Sequence, residues 1–183
     1  MPRARGDKHR GIRARDLRGE AAADRPQLGR VLPAIVLPGW PDDAVDLRRR
    51  WGGQRSLVLI AHPGTTPQHG GLELLLFRLQ VWHEQQPAFA ALGYDVAFLS
   101  AQPLEEQERW LRWARFRIVI LSDVELQLAA SLLLPTLRRG EGSVYKDCIV
   151  VSHGGEVAEA FSASQAVRED VEAVLRFVRS VHE

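Results

Sequence analysis

The residues of this sequence best suited to chemistry lie in one short segment, 62–71, which reads His-Pro-Gly-Thr-Thr-Pro-Gln-His-Gly-Gly. His69 would lie where a loop meets the N-terminus of a helix, a position that lowers the pKa of an imidazole and keeps it neutral. A neutral imidazole can act as a general base or hydrogen-bond donor, with the Thr66 hydroxyl as its neighbour. The N–H groups at Gly70 and Gly71 are unobstructed by side chains and would bind an anion or oxyanion. The segment therefore predicts acid/base chemistry next to a site for negative charge.

Two predicted elements must hold this segment in place. The run 56–61, Ser-Leu-Val-Leu-Ile-Ala, is short and almost continuously apolar, which is typical of a buried strand. Residues 72–91 are predicted to form a helix because apolar side chains recur at helical spacing, at Leu72, Leu75, Leu76, Leu79 and Trp82. Pro87 is expected to kink or divide this helix, since it removes a backbone donor. The chemistry would then lie between the end of a strand and the start of a helix.

The rest of the chain alternates between strand and helix patterns. Further strands are predicted at 31–37, 94–99, 117–121, 144–151 and 156–161. Further helices are predicted at 104–114, 123–132 and 165–181. The last two strands would form a hairpin through the turn His153-Gly154-Gly155. This alternation predicts an α/β fold.

The sequence resembles the peroxiredoxins from about Leu28 to the C-terminus. Thr-Pro-Gln-His at 66–69 resembles their active-site loop Thr-Pro-x-Cys with the cysteine replaced. Other segments resemble the family in the same order along the chain: 32–38 with 45–47, 91–102 ending in Ser-x-Gln, 104–107, 121–123, 134–137 and 144–146. The resemblance implies a thioredoxin-like, peroxiredoxin-type fold, in which a central mixed sheet is flanked by helices. It also implies that the strands at 117–121 and 144–161 lie beside the strand at 56–61.

Two departures from the family change the expected chemistry. His69 stands in place of the reactive cysteine, and an imidazole cannot attack a peroxide O–O bond to form a sulfenic acid. Asp147 stands in place of the family's arginine, which stabilises the thiolate and orients the peroxide. The sole cysteine, Cys148, lies inside the predicted strand 144–151, where burial would raise the pKa of its thiol. The resemblance therefore implies a peroxiredoxin-like protein without thiol peroxidase activity.

The candidate site joins the loop to one residue from the predicted strand 144–151. We predict His69, Thr66 and Asp147 as catalytic residues, with Asp147 orienting His69 or the substrate as a carboxylate orients a catalytic imidazole. The predicted substrate-binding residues are Pro63, Gly64, Thr65, Gln68, Gly70 and Gly71. The alternative for His69 is a solvent-facing loop histidine, and His62 is assigned a structural role. No metal site is predicted, because the two histidines lie seven residues apart in a loop.

Composition predicts one globular domain behind a basic N-terminal extension. The first 30 residues carry nine Lys or Arg against four acids, whereas the whole chain of 183 residues has a net charge of +1. Residues 1–27 are predicted to be a flexible tail, since they contain few large apolar residues, and 28–183 are predicted to be the domain. No secretory signal or membrane-spanning run is found, which predicts a cytoplasmic protein. The tail lacks a nucleic-acid motif, so nucleic acid is not an expected partner.

Three functions stay open on these observations. In the first, the pocket binds a small-molecule substrate and acts without a cofactor as a lyase, isomerase or cyclase in secondary metabolism. In the second, the protein is a catalytically silent module that dimerises or binds a partner. In the third, it is an antioxidant thiol peroxidase that uses Cys148. The polar residues Thr65, Thr66, Gln68 and His69 favour the first, because a silent pocket has no reason to keep them. A homodimer is expected from the family's habit of dimerising.

Overall fold

The computed structural model describes residues 26–65, 71–114 and 116–182. These residues form nine strands in two sheets and five helices. The strands are β1 (Val36–Trp40), β2 (Ala44–Asp46), β3 (Ser56–Ala61), β4 (Tyr94–Ser100), β5 (Val119–Ser122), β6 (Thr136–Arg139), β7 (Gly142–Tyr145), β8 (Cys148–His153) and β9 (Glu156–Ser162). The helices are α1 (Leu47–Trp51), α2 (Leu72–Ala91), α3 (Leu104–Ala114), α4 (Gln127–Leu132) and α5 (Val167–Ser180).

The main sheet has seven strands in the order β2-β1-β5-β4-β3-β8-β9. Strand β3 pairs in parallel with β4 and antiparallel with β8. All six residues of β3 are buried, as the apolar run 56–61 predicts for a strand covered on both faces. Strands β6 and β7 form a separate two-stranded hairpin. A mixed sheet flanked by helices is the predicted architecture.

Two apolar cores cover the two faces of the main sheet. Val58 and Ile60 pack into one core with residues of α2, α3 and α5. Leu57 and Leu59 pack into the other with residues of α1 and α4. Successive residues of β3 enter different cores because the side chains of a strand point alternately to its two faces. Helix α2 therefore lies against one face of the sheet and begins close to where β3 ends.

The strand predicted at 117–121 is β5, but the expectation that it lies beside β3 is wrong. Strand β5 pairs in parallel with β4 and antiparallel with β1. The crossover through α2 places β4 directly beside β3, and the next crossover through α3 then adds β5 on the far side of β4. In the predicted region 144–161, β8 does pair with β3, and β9 lies beyond β8.

Two other predicted strands differ in their bounds. The strand predicted at 31–37 is β1, which begins only at Val36. The strand predicted at 144–151 is two strands, because β7 turns back to pair with β6 and ends before Lys146. Lys146 and Asp147 separate β7 from β8. Asp147 therefore lies in a short connection and not inside a strand.

Pro87 was expected to kink or divide α2, and the division is wrong because the helix continues through it. Proline removes the N–H that would have bonded to the carbonyl of His83. Trp82 and Phe89 are buried on either side of Pro87, so packing holds both halves of the helix in place. Although α2 has 20 residues, no helix within the described ranges is long and apolar enough to cross a membrane.

Candidate functional site

His62 is the first residue after β3 and is buried at the start of the candidate loop. It is 2% exposed, and its backbone N–H donates to the carbonyl of Leu99 at 3.0 Å, which extends the pairing of β3 with β4 by one residue. Its ring Nδ1 accepts a hydrogen bond from the backbone N–H of Gly64 at 3.1 Å. These two bonds fix both the backbone and the ring at the carboxyl end of β3.

Gln102, at the end of the Ser-x-Gln segment, fixes the next part of the loop. Its side-chain carbonyl accepts from the Thr65 N–H at 3.0 Å, and its Nε2 donates to the Thr65 carbonyl at 2.6 Å. The backbone carbonyl of Gln102 accepts in turn from Ser122 Oγ at 2.7 Å. Gly64 has φ +79°, and a Cβ at this position would lie 2.6 Å from the Gln102 side chain. The close approach of loop and side chain therefore requires glycine at position 64.

Arg78 places a guanidinium group beneath this loop from the second turn of α2. It is 6% exposed. One terminal nitrogen donates to Asp147 in a close ion pair, and the other donates to the carbonyl of Ser164 at 3.0 Å. Its Nε has no hydrogen-bond partner among the described residues. Although Asp147 replaces the arginine of the peroxiredoxin pattern, the site retains a buried cation, which comes from the helix.

A cavity of about 110 Å³, here called the Arg78 cavity, lies between the loop, α2 and the β6–β7 region. The residues that line it are His62, Pro63, Gly64, Gly71, Leu74, Leu75, Arg78, Arg139 and Asp147. This volume is several times the ~10–15 Å³ that admits one water molecule. It lies well below the roughly 300–1,000 Å³ of sites that enclose drug-sized ligands. The Arg78 cavity therefore suits a small polar group.

The electrostatics of the Arg78 cavity keep His62 neutral. Burial and, to a smaller extent, the positive charge of Arg78 lower the pKa of His62 to about 3. Because the Gly64 N–H occupies Nδ1, the hydrogen bond assigns the ring proton to Nε2. This Nε2 is buried and unpartnered within the part of the chain that the structure describes. His62 therefore offers one hydrogen-bond donor and cannot serve as a base at neutral pH.

The structure brings four of the predicted site residues together at the Arg78 cavity: Pro63, Gly64, Gly71 and Asp147. Gly71 is also the N-cap residue of α2. Thr65 does not line the Arg78 cavity, and its backbone is bound to Gln102. The other predicted residues, Thr66, Gln68, His69 and Gly70, lie outside the described residues. The predicted action of Asp147 on His69 stays a prediction, while Asp147 itself binds Arg78.

Sequence reasoning missed three polar residues of the Arg78 cavity. Arg78 and Arg139 were not considered, and His62 was assigned a structural role although it lines the cavity. Arg78 had a signal in the sequence, since it lies three residues after Leu75 and four before Trp82, on the apolar face of the helix. A charged residue at such a position is buried only with a partner, and here the partner is Asp147.

Cys148 lies next to Asp147 and does not line the Arg78 cavity. It is 3% exposed, and burial, with a smaller effect of the Asp147 charge, raises the pKa of its thiol to about 12. A thiol with this pKa supplies almost no thiolate at neutral pH. In the described ranges, no three His, Cys, Asp or Glu side chains are grouped as metal ligands.

The fold is similar to that of solved peroxiredoxin structures. A cysteine-to-serine mutant of peroxiredoxin 6 from Arenicola marina is 17% identical, with a TM-score of 0.70 over 85% of this chain and 73% of that one. Peroxidoxin BcpB from Mycobacterium tuberculosis is 17% identical, with a TM-score of 0.70 over 85% and 98% of the two chains. A mutant PrxQ from Xylella fastidiosa is 15% identical, with a TM-score of 0.71 over 86% and 98%. No family model and no curated protein matches the sequence.

These likenesses define the class of fold. The chain has a peroxiredoxin-like thioredoxin fold, which confirms the resemblance and the fold class predicted from the sequence. At identities below 20% the likeness concerns the fold alone. Within that fold this particular protein has one cysteine, Cys148, which is buried on β8 as the cross-strand partner of Ala61, the residue before the candidate loop. Its activity must therefore be argued from its own site.

Proposed function

We propose that this protein is an enzyme that does not reduce peroxides and that performs acid/base chemistry on a small organic molecule. The reaction would be that of a lyase, isomerase or cyclase in a biosynthetic step, and it would need no cofactor. The observation that carries the proposal is the Arg78 cavity, a space of about 110 Å³ at the candidate loop that is lined by the charged residues Arg78, Arg139 and Asp147.

His69 is the proposed proton-transfer group. His62 cannot fill this role, because its pKa of about 3 leaves it unable to accept a proton at neutral pH. The N–H groups at the start of α2, next to Gly71, would stabilise negative charge that develops on the substrate. Thr66 is assigned as the hydrogen-bonding neighbour of His69. Asp147 holds Arg78, so its carboxylate acts on the site by positioning that guanidinium.

The two other functions have less support. A thiol peroxidase that uses Cys148 is disfavoured by the burial of this thiol and by its raised pKa. A silent binding module would have no cause to keep the charge of Arg78 buried beside the Arg78 cavity, since an apolar residue of similar volume would avoid the cost of desolvating that charge. We further propose that the protein is a homodimer. Among the described residues the outer strand β2 leaves one edge of the main sheet open for pairing between copies, whereas the start of β9 is already bonded to residues 29–32.

The proposal is tested by incubating the protein with a small-molecule extract of its source cells and following every metabolite by chromatography and mass spectrometry. We expect one compound to be consumed and another to appear with the wild-type protein, and not with His69→Ala. Chromatographic retention detects an isomer of unchanged mass. If the wild-type protein and His69→Ala give the same profile, the silent module is the better account. Consumption of peroxide with thioredoxin or dithiothreitol, lost in Cys148→Ser, would contradict the proposal in favour of the peroxidase.

A further inference from the structure

We propose that Gln107 is a positioning residue for the candidate loop and acts on it through Gln102. The contacts that carry this inference involve only described residues. The consequence for turnover rests on the function proposed above, in which Thr66 and His69 belong to the same loop.

Gln107 lies in the first turn of α3 and faces the interior of the protein. It is fully buried, and it precedes the buried residues Trp110 and Leu111 by three and four positions, which places all three on one face of the helix. Its Nε2 donates to the backbone carbonyl of Gln102 at 2.8 Å. Gln102 lies between β4 and α3, so this bond fixes the connection between these two elements.

The side chain of Gln102 joins this connection to the candidate loop. It accepts a hydrogen bond from the Thr65 N–H at 3.0 Å and donates one to the Thr65 carbonyl at 2.6 Å, as a neighbouring strand would do. Both backbone groups of Thr65 are therefore held relative to α3. Thr66 is the next residue of the chain, so the point from which the proposed catalytic segment starts is held by Gln102.

The energetics of Gln107 do not favour a purely structural role. Its Oε1 is buried and has no hydrogen-bond partner within the described part of the chain. A buried acceptor without a partner costs at least as much free energy as one neutral hydrogen bond contributes. The Gln102 carbonyl also accepts from Ser122 Oγ at 2.7 Å, so it keeps a partner when Gln107 is replaced. An unbranched side chain without an amide would therefore be at least as stable at this position.

The first test needs no substrate and follows the backbone amide of Thr65. The wild type, Gln102→Met and Gln107→Met are labelled with ¹⁵N, and the exchange of the Thr65 N–H with water is measured by NMR. We expect about five- to tenfold faster exchange in Gln102→Met, because the direct acceptor is lost. Gln107→Met should accelerate the exchange about two- to fivefold, since it loosens Gln102 and leaves the acceptor in place. Its Tm should equal or exceed that of the wild type.

Gln80→Met is the matched control. Gln80 is an exposed residue of α2, and its side chain donates to Glu84 of the same helix at 3.1 Å. The substitution makes the same change of side chain and also removes one hydrogen bond. It should alter neither the exchange of the Thr65 N–H nor turnover.

The second test measures turnover of the compound that the extract experiment identifies. Displacement of a reacting group by about 1 Å can cost 10²-fold in rate, so kcat should fall at least about tenfold in Gln107→Met. KM should change less than kcat, because Gln107 does not line the Arg78 cavity. A residue that only stabilises the fold would lower Tm and would leave the kcat of the folded enzyme unchanged.

Three results would overturn the inference: wild-type exchange of the Thr65 N–H in Gln107→Met, equal acceleration in Gln107→Met and Gln80→Met, or an unchanged kcat in Gln107→Met. The inference and the proposed function fail separately. Unchanged exchange in a protein that turns over its substrate would leave the function standing and remove the positioning role. Faster exchange in a protein that changes no metabolite would leave the hold of Gln107 on the loop standing and remove the enzyme.

Discussion

Arg78 on α2 and Asp147 in the connection between β7 and β8 form an ion pair across 69 residues of sequence. The arginine side chain is 8% exposed and that of the aspartate is 34% exposed, so the pair joins a buried cation to a partly solvated anion. The pair also ties the helix that follows the candidate loop to the strand that borders β3. It therefore positions the guanidinium that faces the Arg78 cavity.

Asp147→Ala is expected to destabilise the protein by about 1–3 kcal/mol, because it leaves a buried guanidinium without its anionic partner. The larger cost known for fully buried pairs does not apply, since a third of the Asp147 side chain is in water. The measurement is urea unfolding of the wild type, Asp147→Ala, Arg78→Met and the double variant. We expect the double variant to be more stable than the sum of the two single effects predicts. Strictly additive effects would contradict an energetic coupling between these residues.

His62 is expected to make stability fall as pH falls. In the unfolded chain its pKa is near the ordinary 6.5, whereas in the folded protein burial lowers the pKa to about 3. Between these values the unfolded state binds a proton that the folded state does not, so stability is complete above about pH 6.5 and decreases below it. The slope should be about 1.4 kcal/mol per pH unit.

Urea unfolding at several values between pH 7 and pH 4 measures this slope. The control is His62→Asn, which removes the titrating group and keeps a polar side chain that can accept from Gly64. Its stability should depend less steeply on pH than that of the wild type. Parallel curves for the two proteins would show that the His62 imidazole does not have the lowered pKa.

Gly64→Ala should destabilise the loop by more than the cost of a positive φ. Gly64 and Gly93 both have φ +79°, a conformation that costs an L-residue about 1–2 kcal/mol. A Cβ at Gly93 meets no atom within 4 Å, whereas one at Gly64 overlaps the Gln102 side chain. The Tm measured by thermal unfolding should therefore be lower for Gly64→Ala than for Gly93→Ala. If the two variants are equally stable, Gln102 does not hold the loop as the structure indicates.

Light scattering tests the proposed homodimer. The main sheet ends in β2 and β9, and because the start of β9 is bonded to residues 29–32, we expect copies to pair through β2. We expect the protein to scatter as a dimer at micromolar concentration. A monomer at that concentration would remove the dimer from the account without affecting the catalytic proposal.

The elements next to the candidate loop could be predicted because their residues carry strong local patterns. The apolar run 56–61 and the helical repeat in 72–91 gave the bounds of β3 and α2. The hairpin of β6 and β7 was missed, since it is short and largely polar and its pairing is decided by the turn around Gly140. Local pattern therefore predicts long elements better than short ones.

The site was harder to predict than the fold, for a physical reason. Asp147 could be named from its place in the family pattern, but its partner Arg78 is remote in sequence, and only the packing of α2 against the sheet brings them together. His62 was expected to be structural, yet it lines the Arg78 cavity. That position is a property of the folded environment, and no spacing in the sequence encodes it.

The most direct test of the central claim compares three proteins on the substrate that the extract experiment identifies: the wild type, His69→Ala and Cys148→Ser. Positioned acid/base groups contribute about 10²–10⁴-fold, so kcat should fall by that factor in His69→Ala while Tm stays nearly unchanged. Cys148→Ser should keep its turnover, because the buried thiol takes no part in the reaction. Full activity in His69→Ala, or loss of activity in folded Cys148→Ser, would contradict acid/base catalysis by the loop.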